Sequence, residues 1–163
     1  MTGEENPIEA LRRSFRPQKI ATLFVGESAP ISGKFFYDRN TNFYRYVKQA
    51  LDGGENFLEE FKAKGFFLDD LVLKPINGMS QKERRHWHKE SEPFLTERIA
   101  SYKPHAVISV MKDIHDVVAD AIRKSGVQNV THYCLPFPGQ GHQTKFIKEL
   151  RRISAELPMA SQV

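Results

Sequence analysis

The sequence predicts an α/β protein: a three-layer sandwich in which helices cover both faces of a central, four-stranded parallel sheet. Two observations favour this fold class. Short, nearly continuous apolar runs alternate along the chain with longer segments whose apolar residues recur at helical spacing. Each run is typical of a strand buried on both faces, as the strands of parallel sheets are. At 163 residues the chain suits one domain, with residues 1–18 as an N-terminal extension and residues 158–163 as a frayed tail.

The first half of the chain predicts three helices and two strands. Apolar residues at three- and four-residue spacing indicate the helices, and a capping residue, a proline or a glycine bounds each of them. The apolar runs between the helices are interpreted as buried strands. In order, we predict a short helix at Ile8–Phe15 closed by Pro17, a strand at Ile20–Val25, a helix that begins at Thr41 or Asn42 and stops at Gly53-Gly54, a helix at Phe57–Lys64, and a strand in the second half of Phe67–Leu73.

The second half repeats the pattern. Residues 80–102 are polar at first and then place Leu95, Ile99 and Tyr102 on one stripe, so Pro93 is expected in the first turn of a helix, where proline is tolerated. The further predicted elements are the end of that helix at Pro104, a strand at Ala106–Val110, a helix from Ile114 that Gly126 ends, a strand at Val130–Leu135, and a helix on Phe146 to Ile153.

The loops at the carboxyl ends of the predicted strands are the place to look for a site, because ligands bind there in open parallel sheets. These loops contain no Gly-rich nucleotide fingerprint, phosphate loop or nucleophile elbow. They span Gly26–Asn40, Lys74–Asn77, Met111–Asp113 and Pro136–His142.

Composition narrows the classes of protein. The single cysteine, Cys134, excludes an intramolecular disulfide and any all-cysteine metal site contributed by this chain alone, and we expect it to be buried in a strand and inert. No run approaches the roughly 18 apolar residues of a spanning helix, so a soluble, cytoplasmic protein without a membrane partner is expected. The net charge of +4 permits a polyanionic partner. Basic residues gather at 82–89 and 145–152.

The sequence His86-Trp87-His88 lies within one of these basic segments. Two histidines two positions apart lie on different sides of a helix, and no carboxylate or cysteine stands at a known ligand spacing. We therefore expect a basic surface segment here and no metal site.

Two of the loops resemble the motifs of a known family. Val25–Pro30 (VGESAP), followed by Gly33–Tyr37 (GKFFY), is similar to the first motif of the uracil-DNA glycosylase superfamily, Gly-Glu-Ala-Pro-Gly followed by Gly-Arg-Pro-Phe. Leu135–Lys145 (LPFPGQGHQTK) resembles the second motif, His-Pro-Ser-Pro and a polar turn. Between them, Lys103–Ile108 (KPHAVI) resembles the turn that leads into the third strand in the iron-sulfur branch of that superfamily.

The resemblance implies a DNA glycosylase. Such an enzyme moves a uracil-like or otherwise modified base out of the DNA stack and hydrolyses its N-glycosidic bond. We expect single- or double-stranded DNA with a modified base as the partner, no cofactor or metal, and a monomer. The alternative is a binding module of the same fold that recognises a nucleic acid, a base or a nucleotide without cleaving it.

Three residues are assigned to catalysis by the resemblance. Glu27 occupies the glutamate position of the iron-sulfur branch and would position water beside the sugar, where positive charge develops. Ser28 stands where the most active branches have aspartate or asparagine. The second motif of the family begins with a histidine that donates to the departing base, whereas this chain has Leu135; His142 could supply that donor or press into the emptied DNA stack. The departures at Ser28 and Leu135 favour the binding module.

The base itself needs an aromatic ring against its face and polar groups at its edge. Phe36 is the first choice for the ring, with Phe35 and Tyr37 as alternatives. The resemblance places the edge-reading group near the end of the second strand, where we prefer Lys74 and Asn77 and keep Asp70 as an alternative.

Glycines and a basic residue complete the assignment. Glycine permits close approach of the backbone to a base or a phosphate, and Gly26 is therefore added to the base-binding residues. The residues expected to hold the DNA strand are Pro136, Pro138, Gly139, Gln140, Gly141 and Lys145.

Overall fold

A computed structural model describes residues 6–162 of the chain. Its elements alternate as the sequence predicts, and most of their bounds differ from the predicted ones by a few residues. The second strand is an exception: it is formed by the first half of the run Phe67–Leu73 and not by the second, because Asp69 and Asp70 pair with Val25 and Gly26 in the sheet. The start of the fourth helix is the other exception. In chain order they are α1 (Pro7–Ser14), β1 (Thr22–Gly26), α2 (Asn42–Ala50), α3 (Phe57–Ala63), β2 (Phe66–Asp70), α4 (Gln81–Tyr102), β3 (Ala106–Ser109), α5 (His115–Ser125), β4 (Thr131–Cys134) and α6 (Gln143–Ser154), with single 3₁₀ turns at Phe36–Asp38, Lys112–Ile114 and Ala160–Gln162.

Within these residues the strands form one four-stranded sheet in the order β2-β1-β3-β4, and every pair is parallel. Helices α2 and α6 pack on each other, and so do α4 and α5. Because crossovers between parallel strands are right-handed, the connection from β1 to β2 and the connections that run towards β3 and β4 lie on opposite faces of the sheet. The predicted α/β class with a parallel sheet is confirmed.

The strand order reverses beside β1. From β1 the chain goes to β2 on one side, and it returns to β3 on the other side. At such a switch point the loops after the two central strands part and leave a crevice at the carboxyl edge of the sheet. Gly26 ends β1 at this crevice, opposite Asp70 of β2.

Helix α4 corrects the prediction for residues 80–102. It is one helix of 22 residues, and Pro93 lies in its interior. Ser80 caps it by accepting the N–H of Glu83 at 3.2 Å and donating to the Glu83 carboxylate at 3.0 Å, a reciprocal capping pair. Pro93 is exposed, so water can satisfy the carbonyl that its missing N–H leaves without a helical partner.

Strand β4 corrects the prediction for Cys134. The strand lies at the edge of the sheet, and Thr131 and Cys134 at its two ends are exposed. The strand at the other edge, β2, is buried along its whole length because α1 lies against it, with Arg12 bound to Asp69 and Asp70. The ends of β4 are left open to solvent. The thiol is therefore at the surface and not in the core.

The residues after Pro158 are tied to the body of the protein, where we expected a frayed tail. The Thr22 hydroxyl donates to the Pro158 carbonyl at 2.8 Å. The N–H of Ala160 donates to the Lys64 carbonyl at 2.8 Å. Val163 lies outside the described residues. Among residues 6–162, no helix is long and apolar enough to cross a membrane.

Candidate active-site cleft

Two adjoining cavities open at the switch point. The first, called the aromatic cavity below, has a volume of about 410 Å³ and is lined by Phe35, Phe36, Phe43, Tyr46 and Phe137 together with polar groups. The second, called the charged cavity, has a volume of about 720 Å³ and is lined by Glu27, Arg84, Lys112 and Asp113 among others. Phe43, Asp70 and Phe137 line both cavities, so the two form one cleft.

Most of the residues singled out in the sequence lie on this cleft. The charged cavity is lined by Gly26, Glu27, Ser28, Asn77, Pro136, Gly139, Gln140 and His142. The aromatic cavity is lined by Phe36 and Pro138, and it shares Ser28, Gly139 and Gln140. The two loops that carry the resemblance therefore meet across one space.

Lys74 lies elsewhere. Its ammonium group sits 3.0 Å from the centroid of the Trp87 ring, in a separate groove on the surface of α4. The reason is the path of the chain after β2: the N–H groups of Leu71 and Val72 bond to the carbonyls of Gly26 and Glu27 at 2.8 and 2.9 Å. The chain thus follows the β1 loop and has left the cleft by residue 74. Gly141 and Lys145 are exposed beside the cleft and do not line either cavity.

Glu27 is held by two side chains of α4. Arg84 donates to it from Nε at 3.0 Å and from Nη2 at 2.7 Å, and His88 Nε2 lies 2.7 Å from the same oxygen, Oε2. Because an ionised carboxylate only accepts hydrogen bonds, His88 Nε2 carries the proton in this contact. Burial alone would raise the pKa of Glu27, but the hydrogen bonds from His88 and Arg84 outweigh it and lower the pKa below its ordinary value. Glu27 is therefore ionised at neutral pH, and it lines the charged cavity with 8% of its surface exposed.

Arg84 and His88 were not recognised as site residues in the sequence. We expected them in a basic surface segment, yet His88 is buried, with 2% of its surface exposed. Their spacing of four residues places them on one face of a helix, and the Ser80-x-x-Glu83 capping signature fixes where that helix begins. These two signals together could have identified the pair, although nothing in the sequence identifies Glu27 as their partner.

Ser28 and Asn77 connect the loops. The Ser28 hydroxyl accepts the N–H of Ile76 at 3.3 Å, and the Asn77 side-chain oxygen accepts the N–H of Ile31 at 2.9 Å. Both side chains thus bind the β1 loop to the segment after β2. This contact leaves the Asn77 amide nitrogen as the part of that side chain that could donate to a ligand.

The rings of the cleft differ in how much they offer to a ligand. Phe36 is 3% exposed and packs against Tyr37, Phe43, Tyr44 and Phe61, so it forms the inner end of the aromatic cavity. Phe43 and Phe137 have ring centroids 5.9 Å apart. Phe137 is 46% exposed. A flat ligand would therefore meet these two rings at the mouth before it reached Phe36.

Asp70 forms the wall between the two cavities. Its Oδ2 accepts a hydrogen bond from Arg12 Nη2 at 3.1 Å, and Arg12 is 4% exposed. Arg98 from α4 holds the neighbouring Asp69 at 2.7 Å. Helix α1, expected to be part of an N-terminal extension, thus supplies a buried cation to the site.

Leu135 and His142 stand at opposite ends of the second loop. Leu135 is buried, with 2% of its surface exposed, and supplies no polar group. His142 is exposed and lines the charged cavity, which Glu27 also lines. Within residues 6–162 no group of three or more His, Cys, Asp or Glu side chains is arranged to hold a metal ion.

No protein-family model and no curated protein matches this chain. What the cleft can do chemically therefore follows from its own residues. It offers an ionised carboxylate with two cationic or donor partners, a second buried carboxylate, and an aromatic cavity beside them.

Proposed function

We propose that the protein binds a nucleobase that has left the DNA stack and hydrolyses its N-glycosidic bond. The observation that carries the proposal is the position of the ionised Glu27 on a cavity that adjoins the aromatic cavity. A volume of about 410 Å³ lies in the range of small-molecule sites. Aromatic side chains suit the face of a base, and the charged cavity next to them would receive the sugar.

The chemistry needs negative charge on one side of the sugar. As the glycosidic bond breaks, positive charge develops on the sugar and negative charge on the departing base. Glu27 would stabilise the sugar and orient the attacking water by accepting one of its protons in a hydrogen bond. Its Oε1 is suited to that contact, because Oε2 takes the shortest bonds from Arg84 and from His88. On the other side His142 would donate to the base.

The resemblance supports the same assignment. The two loops that are similar to the glycosylase motifs line one cleft, although they are separated by more than 90 residues in the chain. In this fold the loops after the strands share one edge of the sheet, and the resemblance adds the residue types found there.

The test is an excision assay on labelled oligonucleotides with one modified base, single- and double-stranded. Uracil, hypoxanthine, xanthine and hydroxymethyluracil are the first bases to try, together with modified cytosines and adenines that keep the exocyclic amino group, and the product to detect is the abasic site. Glu27→Gln should lower the rate about 100-fold or more, since it removes the charge and keeps the shape. The matched control is Glu90→Gln, an exposed carboxylate on α4, which should retain the rate of the unsubstituted protein. Equal loss in both variants would contradict the role of Glu27.

A binding module remains the second candidate, and two observations favour it. The Arg84 guanidinium offsets much of the charge of Glu27 and His88 occupies the same carboxylate oxygen, and Leu135 places an apolar side chain where the family has its donor. In that case the oligonucleotide assay would show salt-sensitive binding and no abasic sites. The absence of both cleavage and binding would contradict both candidates.

A further inference from the structure

We propose that Asp70 makes the cleft selective for nucleobases that carry an exocyclic amino group, the edge found in cytosine- and adenine-type bases, over their oxo counterparts. This inference rests on the proposed function in one respect: it takes the occupant of the aromatic cavity to be a nucleobase. It adds the chemical class of that base, which the excision proposal leaves open.

The first step is the position of Asp70. It is the last residue of β2 and is 5% exposed, and it lines the aromatic and the charged cavity alike. A base that entered between the aromatic rings would therefore have this carboxylate beside it. Lys74, the cation we expected to read the base, lies in another groove.

The second step is the count of hydrogen bonds at the carboxylate. Oδ2 accepts from Arg12. Oδ1 receives no hydrogen bond from any residue in 6–162. Asp70 lines both cavities, so a ligand there could donate to this oxygen, which the described residues leave open as an acceptor.

The third step is the space made for this oxygen. A Cβ atom at Gly26 would lie 2.6 Å from Asp70 Oδ1, closer than two such atoms can approach. The glycine that ends β1 therefore leaves room for the free oxygen. Arg12 fixes the other half of the carboxylate from below, so the group is held in one orientation.

The fourth step is the chemistry of base edges. Burial raises the pKa of Asp70, and the adjacent Arg12 guanidinium opposes that shift. In the ionised form, which the ion pair with Arg12 favours, the carboxylate accepts hydrogen bonds and cannot donate them. The amino group of cytosine or adenine donates, whereas the carbonyl that replaces it in uracil or hypoxanthine is an acceptor that would face Oδ1 with like partial charge. Uracil and hypoxanthine also carry a ring N–H beside that carbonyl, so the discrimination applies to a base whose exocyclic group is held towards Oδ1. In that position the oxo base leaves the carboxylate oxygen unpaired, and a site of this kind discriminates strongly.

This selectivity does not expose ordinary DNA to excision. A paired, undamaged base must be unstacked before it can enter the cleft, and the cost is lowest for a mismatched or damaged base. The expected substrates are accordingly damaged bases that keep the amino group, such as oxidised cytosines and alkylated adenines.

The experiment compares free bases, which need neither DNA nor catalysis. Cytosine and uracil differ at the amino or oxo group and in the ring proton that accompanies it, and so do adenine and hypoxanthine. Binding measured by calorimetry or by ligand-detected NMR at neutral pH should be at least tenfold tighter for the amino member of each pair. Equal affinities, tighter binding of uracil, or no binding of any base would overturn the inference.

A substitution then assigns the preference to Asp70. Asp70→Asn presents an amide that can donate as well as accept, so the preference for cytosine over uracil should fall at least tenfold or reverse. Asp52→Asn is the matched control, since the Asp52 side chain is 84% exposed and lines neither cavity, and it should leave the ratio unchanged. If D70N does not fold, the base pairs measured on the unsubstituted protein still decide the question. The excision assay is read separately: base preference without abasic sites would support this inference and contradict the excision proposal, and the converse result would do the opposite.

Discussion

Gly26 lies where β1 ends and the cleft begins. It pairs with Asp70 in the β1–β2 register, and its missing side chain leaves room for Asp70 Oδ1. The sequence already indicated that this glycine ends a strand and admits a close approach. Which group makes the approach could not be predicted, because the register between β1 and β2 depends on tertiary pairing.

Replacement of Gly26 by alanine should destabilise the protein by about 1–3 kcal/mol, because the new methyl group would overlap with a carboxylate that Arg12 holds in place. Urea unfolding measures the change. Gly54→Ala is the control, since a Cβ there meets nothing within 4 Å, and its stability should stay within about 0.5 kcal/mol of the unsubstituted protein. A G26A protein of unchanged stability would show that Asp70 can move aside.

His88 is the second residue whose role the structure defines. His88→Ala would remove a hydrogen bond to a buried charge and leave space beside it, and the free energy of unfolding should fall by about 2–4 kcal/mol at neutral pH. His86→Ala is the control, because that histidine is exposed on the same helix.

The loss of stability caused by His88→Ala should depend on pH. The pKa of Glu27 is lowered in the folded protein, so the stability it contributes is present at neutral pH and is lost as the pH falls below the ordinary value of 4.5 through the folded-state pKa. The difference between H88A and the unsubstituted protein should therefore narrow in acid. A difference that stays constant from neutral pH into acid would contradict a role of His88 through the charge of Glu27.

At the level of single residues, the sequence located the cleft better than it identified the chemistry. Glu27 and His142 could be placed because they follow strands in loops that must meet at one edge of the sheet. Arg84 and His88 could not, since their partner lies about 60 positions away, and a helical spacing alone does not tell a buried polar face from a solvated one. Phe43 lies in a helix that the sequence predicts, but the spacing of apolar residues is the same for a ring in the core and for a ring that lines a cavity.

At the level of elements, α4 has a proline in its interior, where proline lowers the stability of a helix. The helix extends from its Ser80 cap past Pro93 to Tyr102. Its N-terminal half holds Arg84 and His88 against Glu27, and its C-terminal half holds Arg98 against Asp69. One continuous helix thus positions side chains at Glu27 and at the residue next to Asp70. The sequence pattern changes from polar to apolar within it, which is why we expected the helix to begin near Pro93.

Pro93→Ala should stabilise the protein by about 1–3 kcal/mol, because alanine restores a backbone N–H and removes the clash of the ring with the preceding turn. Thermal or urea unfolding measures the gain, and Lys89→Ala, an exposed substitution one turn earlier, should change stability by about 0.5 kcal/mol or less. A loss of stability in P93A would mean that the bend at the proline is needed to bring Arg84 and Arg98 to their partners.

Across the whole molecule, the fold could be predicted because it depends on pattern alone. Apolar runs with helices between them leave few arrangements other than a covered parallel sheet. The exposure of Cys134 could not be predicted, because an apolar run does not show which strand ends the neighbouring elements leave uncovered. The hydrogen bonds that hold the two ends of the chain could not be predicted either, since the partners of Arg12 and Pro158 are more than 50 positions away.

The distribution of charge belongs to the same scale. Part of the basic segment at 82–89 is not available to a partner, because Arg84 and His88 bind Glu27. In α6, Arg151 and Arg152 form ion pairs with Asp52 and Glu149. Lys145 and Lys148 are exposed and form no ion pair with any residue of 6–162. Lys145 follows His142 by one turn, at the mouth of the cleft, which makes it the cation best placed for a phosphate.

Binding of a single-stranded oligonucleotide should therefore weaken with salt, and Lys145→Ala should reduce the slope of log K against log salt by about 0.7 to 1, the value for one phosphate contact. Fluorescence anisotropy at several salt concentrations measures the slope. Lys19→Ala is the matched control, because Lys19 is exposed just before β1 at the amino edge of the sheet, away from the cleft, and its slope should equal that of the unsubstituted protein. If K145A and K19A lowered the slope alike, the protein would bind DNA through its general positive charge. That result would contradict binding of the strand at the cleft.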